Sequence, residues 1–132
     1  MNRLVIGLGF RDEASAQSIG EVVASVIAHA VRPGIAAVLA VPKDKAAHPS
    51  LVAAANATHL SIETVAADAM RQADAQVRTR SEQAEKHRGV GSVCEAAALA
   101  AAGTGARLIV TRIVSADRHA TAAAAFLEKP AP

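Results

Sequence analysis

A chain of 132 residues has room for one domain with a core of its own, and no Pro/Gly/Ser-rich stretch divides residues 1–132. The formal charge of +2 comes without a long basic block, and two phenylalanines with neither tryptophan nor tyrosine leave little for stacking on bases, so nucleic acid is not an expected partner. Cys94 is the sole cysteine, which excludes an internal disulfide and a thiolate zinc cluster and agrees with a reducing cytoplasm.

The apolar half of the composition is mostly alanine, valine, leucine and isoleucine. A core of such small side chains requires helices to lie close to whatever they cover. Met1-Asn2-Arg3 and the apolar residues after it have the look of a signal peptide, but Arg11-Asp12-Glu13 interrupts them too early. No uncharged apolar run reaches the roughly eighteen residues of a membrane span. The expectation is a soluble, cytoplasmic protein that binds no membrane.

The apolar run Leu4-Val5-Ile6 reads as a buried strand that breaks into a glycine loop at Gly7-Leu8-Gly9-Phe10-Arg11 and then into a helix. Without a Cβ at Gly7 and Gly9 the backbone can turn sharply or approach a ligand. Arg11 then stands beside the partly positive end of that helix, a setting that suits phosphate or carboxylate. Ser15 is the expected N-cap. Ile19, Val22, Val23, Val26, Ile27 and Ala30 recur at helical spacing, and Arg32-Pro33-Gly34 ends the helix. Ile35 to Val41 is a second strand, which makes a parallel βαβ unit with the first.

Pro42-Lys43-Asp44-Lys45 is a charged loop, and Pro49 opens a helix that runs to Thr58. Leu60 to Val65 alternates as a half-exposed strand, followed by a helical turn at Ala66 to Met70. From Arg71 to Arg88 apolar periodicity is lost. The plain reading is a solvated loop or frayed helix, and the sharper one is a mobile flap that brings cations to a bound polyanion. Gly89-Val90-Gly91 is a second glycine loop. Ser92 and Glu95 have the spacing of a capping box, so that two helix starts can face one ligand. The helix runs to Ala102 and is closed by Gly103-Thr104-Gly105. Arg107 to Ser115 is a strand and Ala116 to His119 a turn. Ala120 to Leu127 is open between helix, by alanine propensity, and an antiparallel strand, by the short turn before it.

Several chemistries find no support. Gly7-x-Gly9 lacks the third glycine of a dinucleotide fingerprint, with Asp12 in its place, and Val41-Pro42 stand where the ribose-binding acid belongs. His29, His48, His59, His87 and His119 contain no i, i+4 pair, so they read as surface or structural residues and no metal site is expected. Cys94 lies in a first helical turn, where the dipole lowers a thiol pKa, but it fits a buried small hydrophobe. No cofactor is expected, and no nucleophile is matched with a histidine and a carboxylate.

Gly7-Leu8-Gly9-Phe10-Arg11 resembles the G-x-G-C-R opening of the CobE proteins and of the C-terminal domain of CbiG, both of cobalamin biosynthesis. Gly89-Val90-Gly91-Ser92-Val93-Cys94-Glu95-Ala96-Ala97-Ala98 is similar to that family's G-x-x-S-V-x-E-A-A-A stretch. Arg107-Leu108-Ile109-Val110, Arg112 and Thr121-Ala122-Ala123-Ala124 match its closing strand, turn and strand. Phe10 replaces the usual cysteine, Arg112 stands near an expected lysine, and Lys45 is kept without the acids that tend to flank it. The resemblance implies that Ala120 to Leu127 is a strand. The element order then makes a three-layer α/β/α sandwich with a mixed, mostly parallel sheet and a C-terminal antiparallel hairpin.

What the resemblance implies for function is a precorrin or corrinoid partner, with other enzymes of the pathway as further candidate partners. Two-domain relatives are associated with cobalt-precorrin-5A hydrolase, but this sequence lacks their other domain. The leading expectation is a binder of a precorrin- or hydrogenobyrinic-acid-type tetrapyrrole that holds, delivers or helps convert it. The expected binding residues are Gly7, Gly9, Arg11, Lys45, Gly91, Ser92, Val93, Glu95, Arg112 and Thr121. The alternatives are a pathway hydrolase with Glu95 or Lys45 as acid/base and a nucleotide-binding regulatory module on Gly7-x-Gly9.

Overall fold

A computed structural model describes residues 2–30, 35 and 37–128. Strands β1 (Arg3–Phe10), β2 (Ala37–Pro42), β3 (Ile62–Val65), β4 (Arg107–Val114) and β5 (Ala120–Leu127) form one sheet in the order β3-β2-β1-β5-β4. The β1–β2 and β2–β3 pairs are parallel and the β1–β5 and β5–β4 pairs antiparallel, so four strands share a direction and β5 opposes them. Helices α1 (Ala16–Ala30) and α2 (Pro49–Thr58) cover one face. Helices α3 (Ala67–Ala73) and α5 (Val93–Ala102) cover the other, which gives the three-layer α/β sandwich. A short helix, α4 (Glu82–Arg88), stands between α3 and α5 in the chain, and no helix among the described residues is long and apolar enough to cross a membrane.

Alternation along β1 assigns its two faces. Leu4, Ile6 and Leu8 join Ile19, Val22, Val23 and Val26 of α1 and Leu51 of α2 in one cluster, while Val5 joins Ala40, Ala125 and the alanines of α5 in the other. Ser15 caps α1 as expected, its Oγ accepting from the Ser18 amide at 3.0 Å. The expected end of that helix at Arg32-Pro33-Gly34 lies outside the described residues.

The glycine loop expected at Gly7 to Arg11 is not a loop. Gly7 and Gly9 lie inside β1, in register with Ala123 and Thr121 of β5. The bare Cα at Gly7 serves packing, because a Cβ there would overlap the Cys94 carbonyl oxygen and come within 2.6 Å of the Ala98 amide nitrogen. Gly7 also pairs with Ala40 of β2, so a floor of Gly7, Ala40, Ala123 and Ala125 receives the alanine-rich face of α5 directly.

Residues 71–88 are more ordered than a solvated loop or frayed helix. α3 continues to Ala73, a 3-10 turn covers Asp74–Gln76, and α4 is capped by Ser81 Oγ on the Ala84 amide and by Gly89 in the left-handed region at φ 70°. Apolar periodicity missed α4 because none of its residues is buried.

The candidate site: a cationic cleft at one edge of the sheet

Parallel α/β sheets bind ligands beyond the carboxyl ends of their strands, because there the loops converge while the helices cover the faces. The carboxyl ends of β1, β2 and β4 and the amino end of antiparallel β5 meet at one such edge. A cleft of about 930 Å³ opens there. β1 and its exit contribute Gly9 to Asp12, β2 and the turn after it Pro42, Asp44 and Lys45, and β4 Arg112 and Val114. The β4–β5 hairpin adds Arg118, His119 and Thr121, α4 forms a wall with Gln83, Ala84, His87 and Arg88, and α5 presents its start at Ser92 and Val93.

Five cations face two carboxylates in this lining. Lys45 is spoken for, its Nζ lying 2.6 Å from Asp12 Oδ1 and 5.1 Å from the centre of the Phe10 ring. His48 fixes that corner: its Nδ1 accepts from the Ser50 amide at 3.2 Å, capping α2, which leaves Nε2 to donate to the Asp12 carbonyl at 2.8 Å. The Lys45 ammonium, by hydrogen bond and charge, lowers the Asp12 pKa. Arg88 grips both oxygens of Asp44 at 2.6 and 2.8 Å and lowers that carboxyl's pKa in the same way. Arg11, Arg112 and Arg118, in contrast, form no ion pair among the described residues.

The hairpin tip is held rigidly. Asp117 accepts from Ser18 Oγ, from Ser115 Oγ at 2.6 Å and from the His119 amide at 3.0 Å, and these bonds, the Ser115 hydroxyl first, hold its carboxyl far below the usual range. The Arg11 amide donates to the His119 carbonyl at 2.9 Å and ties the tip to the end of β1. Arg118, with φ 65°, sits in a conformation that side-chain-bearing residues seldom adopt.

Gly9, Arg11, Lys45, Ser92, Val93, Arg112 and Thr121 of the expected binding set thus border one cleft, while Gly7, Gly91 and Glu95 do not. Gly7 underlies α5, and Gly91 donates its amide to Asp74 Oδ1 at 2.7 Å with the Arg80 side chain against its Cα. The Ser92/Glu95 box is half made. Ser92 Oγ accepts from the Glu95 amide at 3.4 Å, but the Glu95 carboxylate turns away into the protein. Its Oε1 accepts from the amides of Arg78 (2.7 Å) and Thr79 (2.9 Å), and its Oε2 from Thr79 Oγ1 (2.7 Å) and the Arg112 amide (2.9 Å). Burial pushes this carboxyl's pKa up, but the Arg112 amide and the other donors outweigh it and hold the pKa below its usual value. Burial raises the pKa of the Cys94 thiol, which is a core side chain.

Of the two helix starts expected to converge, that of α5 borders the cleft and that of α1 does not, since no residue from Ser15 onward in α1 lines it. The hairpin tip escaped sequence reasoning, and the segment from 81 to 88 entered it only as the sharper of two readings, a flap that brings cations to a polyanion. His87 and His119 read as surface residues there, and nothing in their chain positions brings them near Arg11. The one usable signal was the rule that loops after parallel strands gather at a single edge.

The model of the family described as cobalamin synthesis G C-terminus matches residues 4–125. The chain is similar to the crystal structure of CobE, a protein from the cobalamin (vitamin B12) biosynthetic pathway, with 25% identity and a TM-score of 0.84 over 98% of this chain and 94% of that one. It is also similar to the cobalamin biosynthesis protein chiG from Agrobacterium tumefaciens str. C58, with 38% identity and a TM-score of 0.64 over 92% of this chain and 96% of that one. None of the curated proteins compared with the chain matches it.

Proposed function

The chain belongs to the cobalamin synthesis G C-terminus family and works in cobalamin biosynthesis, and from that premise we propose that its cleft binds a precorrin- or hydrogenobyrinic-acid-type tetrapyrrole through the ring's acidic side chains. Its role is to hold that intermediate, hand it on or help convert it. The observation that carries this reading is the set of three guanidiniums, Arg11, Arg112 and Arg118, that share one cleft with the capped start of α5 and have no carboxylate partner among the described residues. A corrinoid acid has a rim of acetate and propionate groups, and a guanidinium fork matches a carboxylate in two parallel bonds. A volume of about 930 Å³ lies at the upper end of the range for small-molecule sites.

Of the residues on which the alternatives rest, Lys45 borders the cleft but is paired with Asp12, and the others are less well placed. Glu95 does not border the cleft and its carboxylate is engaged by four donors, so it is badly placed to exchange protons with a ligand. Gly7-x-Gly9 lies within a strand and offers no phosphate-cradling turn.

The test is a titration at visible wavelengths with hydrogenobyrinic acid, where the polypeptide itself does not absorb. Binding is expected to change the ligand spectrum. Arg11→Ala is expected to weaken affinity about tenfold or more, since a hydrogen bond to a charged group contributes about 1.5–3 kcal/mol. An unchanged spectrum, or a variant that binds as tightly as the parent, overturns the proposal.

A further inference from the structure

α4 is the one α-helix among the described residues that buries no side chain. Its Ala84, His87 and Arg88 stand at three- and four-residue spacing on the side that borders the cleft, with Gln83 beside them. A helix of a globular protein ordinarily lays such a side on a core. Here it faces the space assigned to the ligand.

The attachments of α4 are at its ends. The Ser81 amide donates to the Gly91 carbonyl at 2.8 Å, Arg80 reaches Asp74 and Glu85, and Gly89 closes the C-terminus. From its last residue one link among the described residues crosses to the opposite wall, the two-pronged Arg88–Asp44 pair. Asp44 is 62% exposed, so water and salt screen this pair and little free energy opposes its exchange.

We propose that α4 is a lid on the cleft and that Arg88 trades partners, gripping Asp44 in the free protein and an acidic side chain of the ligand once the cleft fills. The proposal rests on the polycarboxylate reading of the site. Both partners of Arg88 are carboxylates, so the fork geometry survives the exchange. A ring already anchored by Arg11, Arg112 and Arg118 presents its remaining carboxylates at high effective concentration. The new pair is also shielded from water by the ligand, which strengthens it relative to the exposed one.

One arm of the test needs no ligand. In the free protein Asp44→Asn is expected to speed amide hydrogen exchange at residues 85–89 by about two- to fivefold, the range for losing an exposed ion pair, with α5 unchanged. Exchange at the parent rate overturns the lid. In the second arm, hydrogenobyrinic acid is expected to bind Asp44→Asn more tightly than the parent, and this gain shrinks when Arg88→Gln is already present, because no ion pair is left to give up. A gain that is equal or larger in the Arg88→Gln background overturns the exchange: the pair is then a strut kept in the complex, and bare Asp44 merely repels the ligand. A parent protein that ignores hydrogenobyrinic acid instead removes the ligand assignment, and the exchange rates alone decide whether α4 opens.

Discussion

Glu95 concentrates the structural chemistry of the molecule in one side chain. Its carboxylate joins residues 78 and 79 to β4 across the start of α5, and all four of its bonds come from N–H or O–H groups that need an acceptor. Glu95→Gln sets an amide N–H₂ against two of those donors. It is expected to destabilise the fold by about 1–3 kcal/mol in urea denaturation at pH 7, the cost of leaving buried donors unmet. The pH dependence has a fixed sign. Because the folded carboxyl titrates below its ordinary value of 4.5, its contribution is complete above that value and is lost as the pH falls through the lower folded value. The gap between parent and Glu95→Gln should therefore close on acidification, and a gap that widens at low pH contradicts this account. The serine and glutamate at this spacing made the helix start legible in the sequence, yet the same letters misassigned the carboxylate. A capping box and a buried staple share the S-x-x-E pattern, and only the segment at 78–79, distant in sequence, distinguishes them.

Among the elements, the contact of β1 with α5 shows how a motif can be legible for the wrong reason. Gly7 was expected to leave room for a ligand and instead leaves room for a helix, whose Cys94 carbonyl and Ala98 amide occupy the place of a Cβ. Neither atom belongs to a flexible side chain, so Gly7→Ala forces α5 off the sheet. The expected cost is about 1–3 kcal/mol, as for other overpacked cores, read as a fall in Tm. Because Ser92 and Val93 ride on α5, ligand affinity should fall in the same variant although residue 7 touches no ligand. Gly20, with nothing near the place of a Cβ, is the control: Gly20→Ala should leave Tm unchanged or raise it. α1 was legible because burial imposes a 3.6-residue period on it, and β2, β3 and β4 as apolar or alternating runs, while Pro49 and the Ser92/Glu95 spacing marked the starts of α2 and α5. Ala120 to Leu127 stayed open between helix and strand until the family resemblance decided it. α4 was not legible, since a helix that buries nothing has no apolar period to read.

At the scale of the whole molecule, the charge of the chain understates that of the site. A formal charge of +2 is spread over 132 residues, whereas the cleft gathers Arg11, Lys45, Arg88, Arg112 and Arg118 against Asp12 and Asp44. No run of sequence carries this excess, because its members leave four strand ends and one helix and meet only when the sheet forms. Charges focused by low-dielectric walls act over distances that salt shortens, from a Debye length of about 10 Å at 0.1 M to about 3 Å at 1 M. Hydrogenobyrinic acid should therefore bind about tenfold or more weakly at 1 M than at 0.1 M sodium chloride in the same visible titration, the regime in which exposed charge pairs are largely screened. A ring of the same shape whose acid side chains are amides should bind weakly at both concentrations and show little of that dependence, since it offers the guanidiniums no charge to neutralise. Equal affinity for acid and amide at low salt would mean that the apolar face of the ring, not its rim, is what the cleft recognises.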